Sequence, residues 1–510
     1  MAGGLLWAAQ FEREPFLLAP WVALVPLLLL LDGPRPGWLA FVHGFAFWLA
    51  SVPWIAATLV TYGQLPVWLS WLLLAMVAAY LALWWALFAT LGARWWHAGG
   101  WRALVLLPAL WVAVEWLRGW LLTGFPWNLA AYSWIDVAGA LPLASWIGPW
   151  GISLLVVLAN VGAGQAVARR RWRSGLLALI VPLVLLPIAG RFARADSEAL
   201  AATPAQAVRV LQPNIANQVE YEPVSALANY RRVLEMSRAA CDRPGSLVVW
   251  PESAGWPFSY PSDPDFARDL LALVDQGCAL LFNTALQQDG EWRNAAFVLA
   301  PGGGEARYDK RHLVPFGEYV PLAPLFPFLD RVARNAGDFT PAEELKLLDW
   351  GAERLGVAIC FEVTFPGEVA EAVREGATTL VTITNDAWYG DSSAPWQHYR
   401  SARFRAAENR RPMVRAAITG VSALIAADGA VVSELGIFEQ GTLRGAVRGN
   451  RELTPYARAP WLVPALCCAV AGAAALRDLR DRRRRRLSSA PLVPTPGPSL
   501  PTRGERGVGE

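Results

Sequence analysis

Two regimes of hydrophobic patterning divide the chain. Up to about Ile188 the sequence is almost unbroken Leu, Val, Ala and Trp. Membrane-crossing helices need about 20 consecutive apolar residues. Candidate spans lie at 16–31, 38–62, 67–91, 103–117, 141–168 and 175–188, with a last one at 461–476. Residues 3–9 are apolar but too few to cross alone. From Arg191 to about Pro455 apolar residues come in short runs bounded by Gly, Pro and Asp, the pattern of a water-exposed domain. Strands are expected at 208–211, 246–250, 279–283, 295–300, 306–308, 355–360, 380–384, 414–418 and 423–427. Helices are expected at 223–240, 264–276, 367–375 and 393–409. Strands interleaved with helices predict a layered α/β domain. The chain therefore divides into membrane helices at 1–190, an α/β domain at 191–455, a membrane helix at 456–477 and a tail at 478–510.

Charge orients this plan. Arg94 and Arg102 flank one loop, Arg169 to Arg173 fill a second, and Arg477 to Arg486 follow the last span. Basic loops stay on the cytoplasmic side. All three clusters fall on one side if the α/β domain lies on the other. No basic segment precedes the first apolar stretch, and apolar segments continue far beyond it, so a cleaved signal peptide is not expected. From Leu487 onward Pro, Ser, Gly and Arg predict a basic, disordered cytoplasmic tail.

Composition sharpens the picture in three places. Apolar residues make up 55% of the 510 and charged residues only 17%, which argues against an ordinary soluble protein. A net charge of +3 without a nucleic-acid motif gives no reason to expect nucleic acid as a partner. Five cysteines, an odd number without metal-ligand spacing, predict at least one free thiol and no metal site. Among 45 basic residues only Lys310 and Lys346 are lysines, so each merits scrutiny. Lys346, in Glu344-Leu345-Lys346, reads as a surface residue.

Three expected strands end in a reactive group. Trp250-Pro251-Glu252-Ser253 follows one, Asp309-Lys310-Arg311-His312 a second, and Gly356-Val357-Ala358-Ile359 runs into Cys360-Phe361-Glu362. Singly, each has an ordinary reading: a solvated Glu after a proline, a surface Lys, an inert buried Cys. His312 and His398 are candidate partners for the thiol, or structural hydrogen-bonding residues. Together, a carboxylate could take the thiol proton while an ammonium stabilises thiolate and oxyanion.

Glu, Lys and Cys at strand ends in this order resemble the triad of the nitrilase superfamily. Longer strings resemble one of its families, the apolipoprotein N-acyltransferases. They are Gln212-Pro213-Asn214-Ile215, Trp250-Pro251-Glu252-Ser253, Lys310 with His312-Leu313-Val314-Pro315-Phe316-Gly317-Glu318, Ile359-Cys360-Phe361-Glu362, Thr384-Asn385-Asp386-Ala387-Trp388-Tyr389-Gly390 and Pro395-Trp396-Gln397-His398. In the membrane half they are Glu115-Trp116-Leu117-Arg118-Gly119-Trp120 and Thr123-Gly124-Phe125-Pro126-Trp127.

The resemblance implies a nitrilase-like α-β-β-α sandwich facing the periplasm from a multi-pass bacterial inner-membrane protein. It implies an acyl chain moved from a membrane phospholipid to the α-amine of a diacylglyceryl-cysteine on a lipoprotein, through a Cys360 thioester and without a cofactor. Glu252 would be the base, Lys310 the oxyanion stabiliser, Cys360 the nucleophile, and Glu318 and Glu362 supporting carboxylates. A monomer is expected.

The sequence departs from the family pattern at Tyr221, where a Trp is usual, and at Phe361, where a Tyr is usual. An asparagine expected before Gly420 is missing. The family's first helix would also be longer than residues 1–15 allow, so seven or eight spans are expected.

The aromatic stretch 254–261, with Trp256 and Phe258, reads either as a packed loop or, with Tyr221, as a lid dipping into the bilayer interface. Arg118 could bind a lipid phosphate or snorkel. Two competitors remain. A membrane-anchored amidase would use the same triad, though a small soluble substrate needs no bilayer entrance. A transporter would call for more ionisable residues inside the spans than Glu115 and Arg118.

Overall fold

The computed structural model describes residues 1–14, 16–201, 204–217, 222–320 and 338–488. Among them, five helices are long and apolar enough to cross a bilayer: Val67–Ala98, Gly100–Arg118, Ala140–Arg169, Trp172–Phe192 and Leu462–Arg484. A sixth span results if Pro36–Ser51 and Trp54–Thr61 count as one. That pair, expected as a single helix at 38–62, bends by 51°. Pro53 sits at the joint, where its missing N–H and its ring break the helical ladder. The stretch at 16–31 is not one span either. It splits into 3-10 turns, Ala19–Trp21 and Leu30–Asp32, around the short helix Val25–Leu29. Pro20 and Pro26 each start a new turn, a position that suits proline where a helix interior does not. Among the described residues, length and composition thus give five or six spans where seven or eight are expected.

Close approach of backbones holds the bundle. A Cβ on Gly162 would lie 2.3 Å from that of Ala178, and one on Gly175 2.9 Å from that of Ala166, so Ala140–Arg169 and the helix beginning at Trp172 touch through small residues. Membrane helices associate through such packing because lipid offers no hydrophobic drive between them. Leu72, Met76, Leu83, Leu176, Ile180, Leu183 and Leu466 point outward, as a lipid-facing surface requires.

The two ends of the bundle differ. At one end Asp32 pairs with Arg169 and accepts from Trp96 Nε1 at 3.0 Å, and Arg94 pairs with Asp478 at 2.7 Å. At the other, Thr58 and Tyr62 donate to the carbonyls of Trp388 and Ala387, and Trp127 Nε1 donates to Gln397. The basic clusters thus gather at the end away from the α/β domain.

In that domain the described residues form twelve strands in two six-stranded sheets. The strands are β1 Gln206–Gln212, β2 Leu247–Val249, β3 Ala279–Gln288, β4 Glu291–Ala300, β5 Gly304–Asp309, β6 Leu348–Trp350, β7 Glu353–Ile359, β8 Thr379–Thr384, β9 Met413–Ala417, β10 Ser422–Ile425, β11 Val431–Leu435 and β12 Gly441–Val447. One sheet runs β12-β1-β2-β3-β4-β5 and the other β11-β10-β9-β8-β7-β6. Val208, Val210, Val249 and Leu281 of the first pack face to face with Ile359, Val381, Ile383 and Val414 of the second. Helices Pro223–Ala240 and Pro264–Val274 cover the first sheet's outer face. Pro366–Arg374 and Ala394–Asn409 cover the second. The result is the four-layer α-β-β-α sandwich. β8 is buried along its length and β7 from Leu355 onward, and the two pair in parallel, which explains why they read as apolar runs.

Candidate active site

β2, β5 and β7 each end at one reactive side chain, all at the same edge of the sandwich. Lys310 directly follows β5 and is almost wholly buried. Its Nζ lies 2.9 Å from Glu318 Oε1 and 3.5 Å from Glu252 Oε1. Asn294 Nδ2 donates to both carboxylates, at 2.7 Å to Glu318 and 3.1 Å to Glu252. Asn283 holds Asn294 in turn at 2.6 Å. The other Glu252 oxygen accepts the backbone N–H of Asn385 at 3.0 Å. The other Glu318 oxygen accepts that of Val314 at 2.7 Å, which ties the loop after Lys310 back on itself.

Cys360 opens a five-residue 3-10 turn and has φ of 53°, a backbone region most side chains avoid. Burial pushes its thiol pKa up, Glu252 adds to the rise, and Lys310 opposes it. Burial and Glu252 thus favour the neutral thiol, and Lys310 favours the thiolate. For Lys310, burial alone would lower the pKa, but Glu318 and Glu252 outweigh it and hold the ammonium charged.

Glu362 staples the Cys360 turn to the Lys310 loop. One oxygen accepts the N–H groups of Arg311 (2.7 Å) and His312 (3.1 Å) and the hydroxyl of Tyr308 (2.8 Å). The other accepts the N–H of Ile359 at 2.7 Å. Burial lifts its carboxyl to about 7, with Lys310 and these backbone donors pulling the other way. Phe361 points away from the charges and packs on Phe365, with ring centroids 5.0 Å apart, and on His312.

The remaining candidates separate. Phe258 packs against Tyr230 and Phe266, whereas Trp256 is 49% exposed. Tyr221 lies outside the described residues. Arg118 turns inward. It is buried, donates to the carbonyls of Phe125 (2.5 Å) and Trp127 (2.9 Å), and lies over the ring of Trp48. Glu115 accepts the N–H of Ala130 at 2.8 Å. The pair shapes the loop that carries Trp127. His312 bonds Glu368 at the surface side, while His398 is fully buried behind Cys360.

Asn283 and Asn294 escaped the sequence reading. Their signal was present: Asn is a poor strand former, and each interrupts an apolar strand at an inward position. Gly420, noted only for a missing neighbour, proves fixed by space, since a Cβ there would lie 2.2 Å from Asp386 Oδ2. Cys241 and Cys278 form a disulfide, leaving Cys360, Cys467 and Cys468 free.

Comparison with known proteins matches residues 2–162 to the apolipoprotein N-acyltransferase N-terminal domain and residues 207–455 to the carbon-nitrogen hydrolase domain. An apolipoprotein N-acyltransferase of Geobacter metallireducens is 37% identical over 500 residues, covering 94% of both chains. That of Methylococcus capsulatus is 35% identical over 496 residues, covering 94% of this chain and 96% of its own. Among solved structures, a Saccharomyces cerevisiae member of the nitrilase superfamily is 18% identical, with a TM-score of 0.38 over 48% of this chain and 90% of its own.

Proposed function

The chain belongs to the apolipoprotein N-acyltransferase family and acts as an N-acyltransferase, and we propose that it does so by a two-step transfer through Cys360. The observation that carries the mechanism is the convergence, at one edge of the sandwich, of three buried side chains: the Cys360 thiol, the Glu252 carboxylate and the Lys310 amine 3.5 Å from that carboxylate. Glu252 takes the Cys360 proton as sulfur attacks the carbonyl carbon of a membrane phospholipid ester. The carbonyl π electrons move onto the carbonyl oxygen, and Lys310 Nζ and the Phe361 backbone N–H stabilise the resulting oxyanion. The C–O bond breaks, the lysophospholipid oxygen takes the proton from Glu252, and a thioester remains. The α-amine of a diacylglyceryl-cysteine then attacks the thioester and gives its proton to Glu252. The C–S bond breaks, and sulfur recovers the proton. An α-amine titrates at about 8, so a useful fraction is neutral at pH 7.

Lys rather than Arg suits this pocket because a compact ammonium fits between two carboxylates where a planar fork would not. The fused membrane half supports a lipid donor over a small soluble amide. The Arg clusters, together with a disulfide in the α/β domain, support an orientation with that domain in the oxidising periplasm and the bundle in the inner membrane.

Initial rates measured against phospholipid at several acceptor-peptide concentrations test the scheme. Parallel double-reciprocal lines are expected. Intersecting lines would show that both substrates must be bound together and would overturn it. Glu252→Gln keeps the shape and removes the base. It is expected to slow Cys360 acylation by about 10²–10⁴-fold. Stopped-flow acylation of the variant checks this, and a loss under tenfold would remove Glu252 from the role.

A further inference from the structure

Cys360 needs an external hold, because its backbone sits at φ of 53° and it has no glycine's freedom there. Glu362 grips the turn from the Ile359 side. From the other side, the Cys360 carbonyl lies 3.0 Å from His398 Nε2. A carbonyl only accepts, so Nε2 carries the proton. His398 Nδ1 faces Asp386 Oδ1 at 3.1 Å and Arg415 Nη2 at 3.3 Å. Asp386 is itself fixed by Thr384 and Arg415, each at 2.7 Å. His398 and Arg415 are fully buried and Asp386 is 1% exposed, so the imidazole has no alternative partner in water.

What covers the imidazole comes from the membrane half. The Trp127 indole stacks on it, with centroids 5.7 Å apart and planes at 24°. Trp127 is fixed by its bond to Gln397 at 2.6 Å and by Trp54, whose ring lies 5.3 Å away. Trp54 also meets Tyr389 at 4.7 Å, while Thr58 and Tyr62 bond the carbonyls of Trp388 and Ala387. These contacts clamp the 3-10 turn Asp386–Tyr389. Immediately before it, Asn385 supplies the N–H that holds Glu252.

We propose that His398 is a positioning residue for the nucleophile, and that the membrane half, through the Trp127 face stacked on it, holds the Cys360 turn in its reactive geometry. The membrane half is then part of the catalytic framework as well as the route for lipid. The proposal rests on Cys360 as the acyl carrier.

Full-length His398→Leu, His398→Gln and Trp127→Leu are compared with wild type in detergent micelles, each checked for an unchanged unfolding temperature. The readouts are single-turnover labelling of Cys360 by a phospholipid with a labelled acyl chain, and steady-state KM for that phospholipid. His398→Leu is expected to slow labelling at least ~50-fold with KM within about twofold, because geometry and not binding is lost. His398→Gln, whose side-chain N–H₂ reaches toward the Cys360 carbonyl, is expected to recover labelling to within ~5-fold of wild type, and Trp127→Leu to lose ~10-fold.

Equal slowing by Leu and Gln would reduce His398 to a space-filling role and overturn the proposal. Labelling of His398→Leu or Trp127→Leu at the wild-type rate would also overturn it. If His398→Leu does not fold, Gln and Trp127→Leu carry the same decision. Absence of label on wild type would instead refute the acyl-carrier reading on which the proposal rests.

Discussion

Cys360→Ala is expected to abolish acyl transfer. Deleting a nucleophile that no other group can replace costs about 10⁶ in kcat, below detection in a vesicle assay. No second thiol can stand in. Cys241 and Cys278 are bonded to each other, and Cys467 and Cys468 lie within the C-terminal membrane helix Leu462–Arg484. The substitution removes little volume from a site whose backbone is held by Glu362 and His398, so the protein is expected to fold and to bind phospholipid normally. Transfer of label from phospholipid to an acceptor peptide, measured beside the unfolding temperature, separates these effects. Activity within a hundredfold of wild type would place the chemistry elsewhere.

Lys310→Met is expected to fail twice. The reaction loses its charged oxyanion donor, a change worth about 10²–10³ in rate. The fold loses the one cation among Glu252, Glu318 and Glu362, all buried or nearly so. Removing one partner of a buried ionic cluster costs about 3–5 kcal/mol, because the remaining charges have no water to replace it. A second change separates the two losses. Lys310→Met with Glu318→Gln carries one negative charge fewer in the pocket and keeps a hydrogen-bonding group of the same shape. Part of the lost stability is expected to return without activity. Urea unfolding reads the first and acylation rate the second. Recovery of both together would mean that Lys310 serves folding alone.

The sandwich was legible where burial was complete. β7 and β8 read as strands because both faces are covered, and the helix expected at 264–276 because its apolar positions, among them Phe266, Leu270 and Leu273, repeat at helical spacing. β11, β12 and β6 were missed for the opposite reason. β11 is mostly exposed, β12 carries Gly441, Arg444 and Gly445, and β6 has only three residues. Their assignment comes from partners far along the chain, such as β1 for β12, which a local pattern does not contain.

In the membrane half the expected and observed helices differ at prolines. Hydropathy sums over Pro20, Pro26 and Pro53, while the backbone breaks there. That Glu252, Lys310 and Cys360 lie at strand ends was readable because each follows a short strand-like run. Asn294 was not, since its role is to join two carboxylates from different loops. Arg118 misled for a related reason. Its place at a helix end suggested lipid, but its guanidinium turns inward and bonds two carbonyls of its own following loop.

The most direct test of the central claim is the mass of the purified protein after incubation with a phospholipid of defined acyl chain and no acceptor. One acyl chain in thioester linkage is expected, located on the peptide containing Cys360, released by neutral hydroxylamine and absent from Cys360→Ala. An unmodified mass with free fatty acid or ammonia accumulating, or an adduct that survives in Cys360→Ala, would contradict the account.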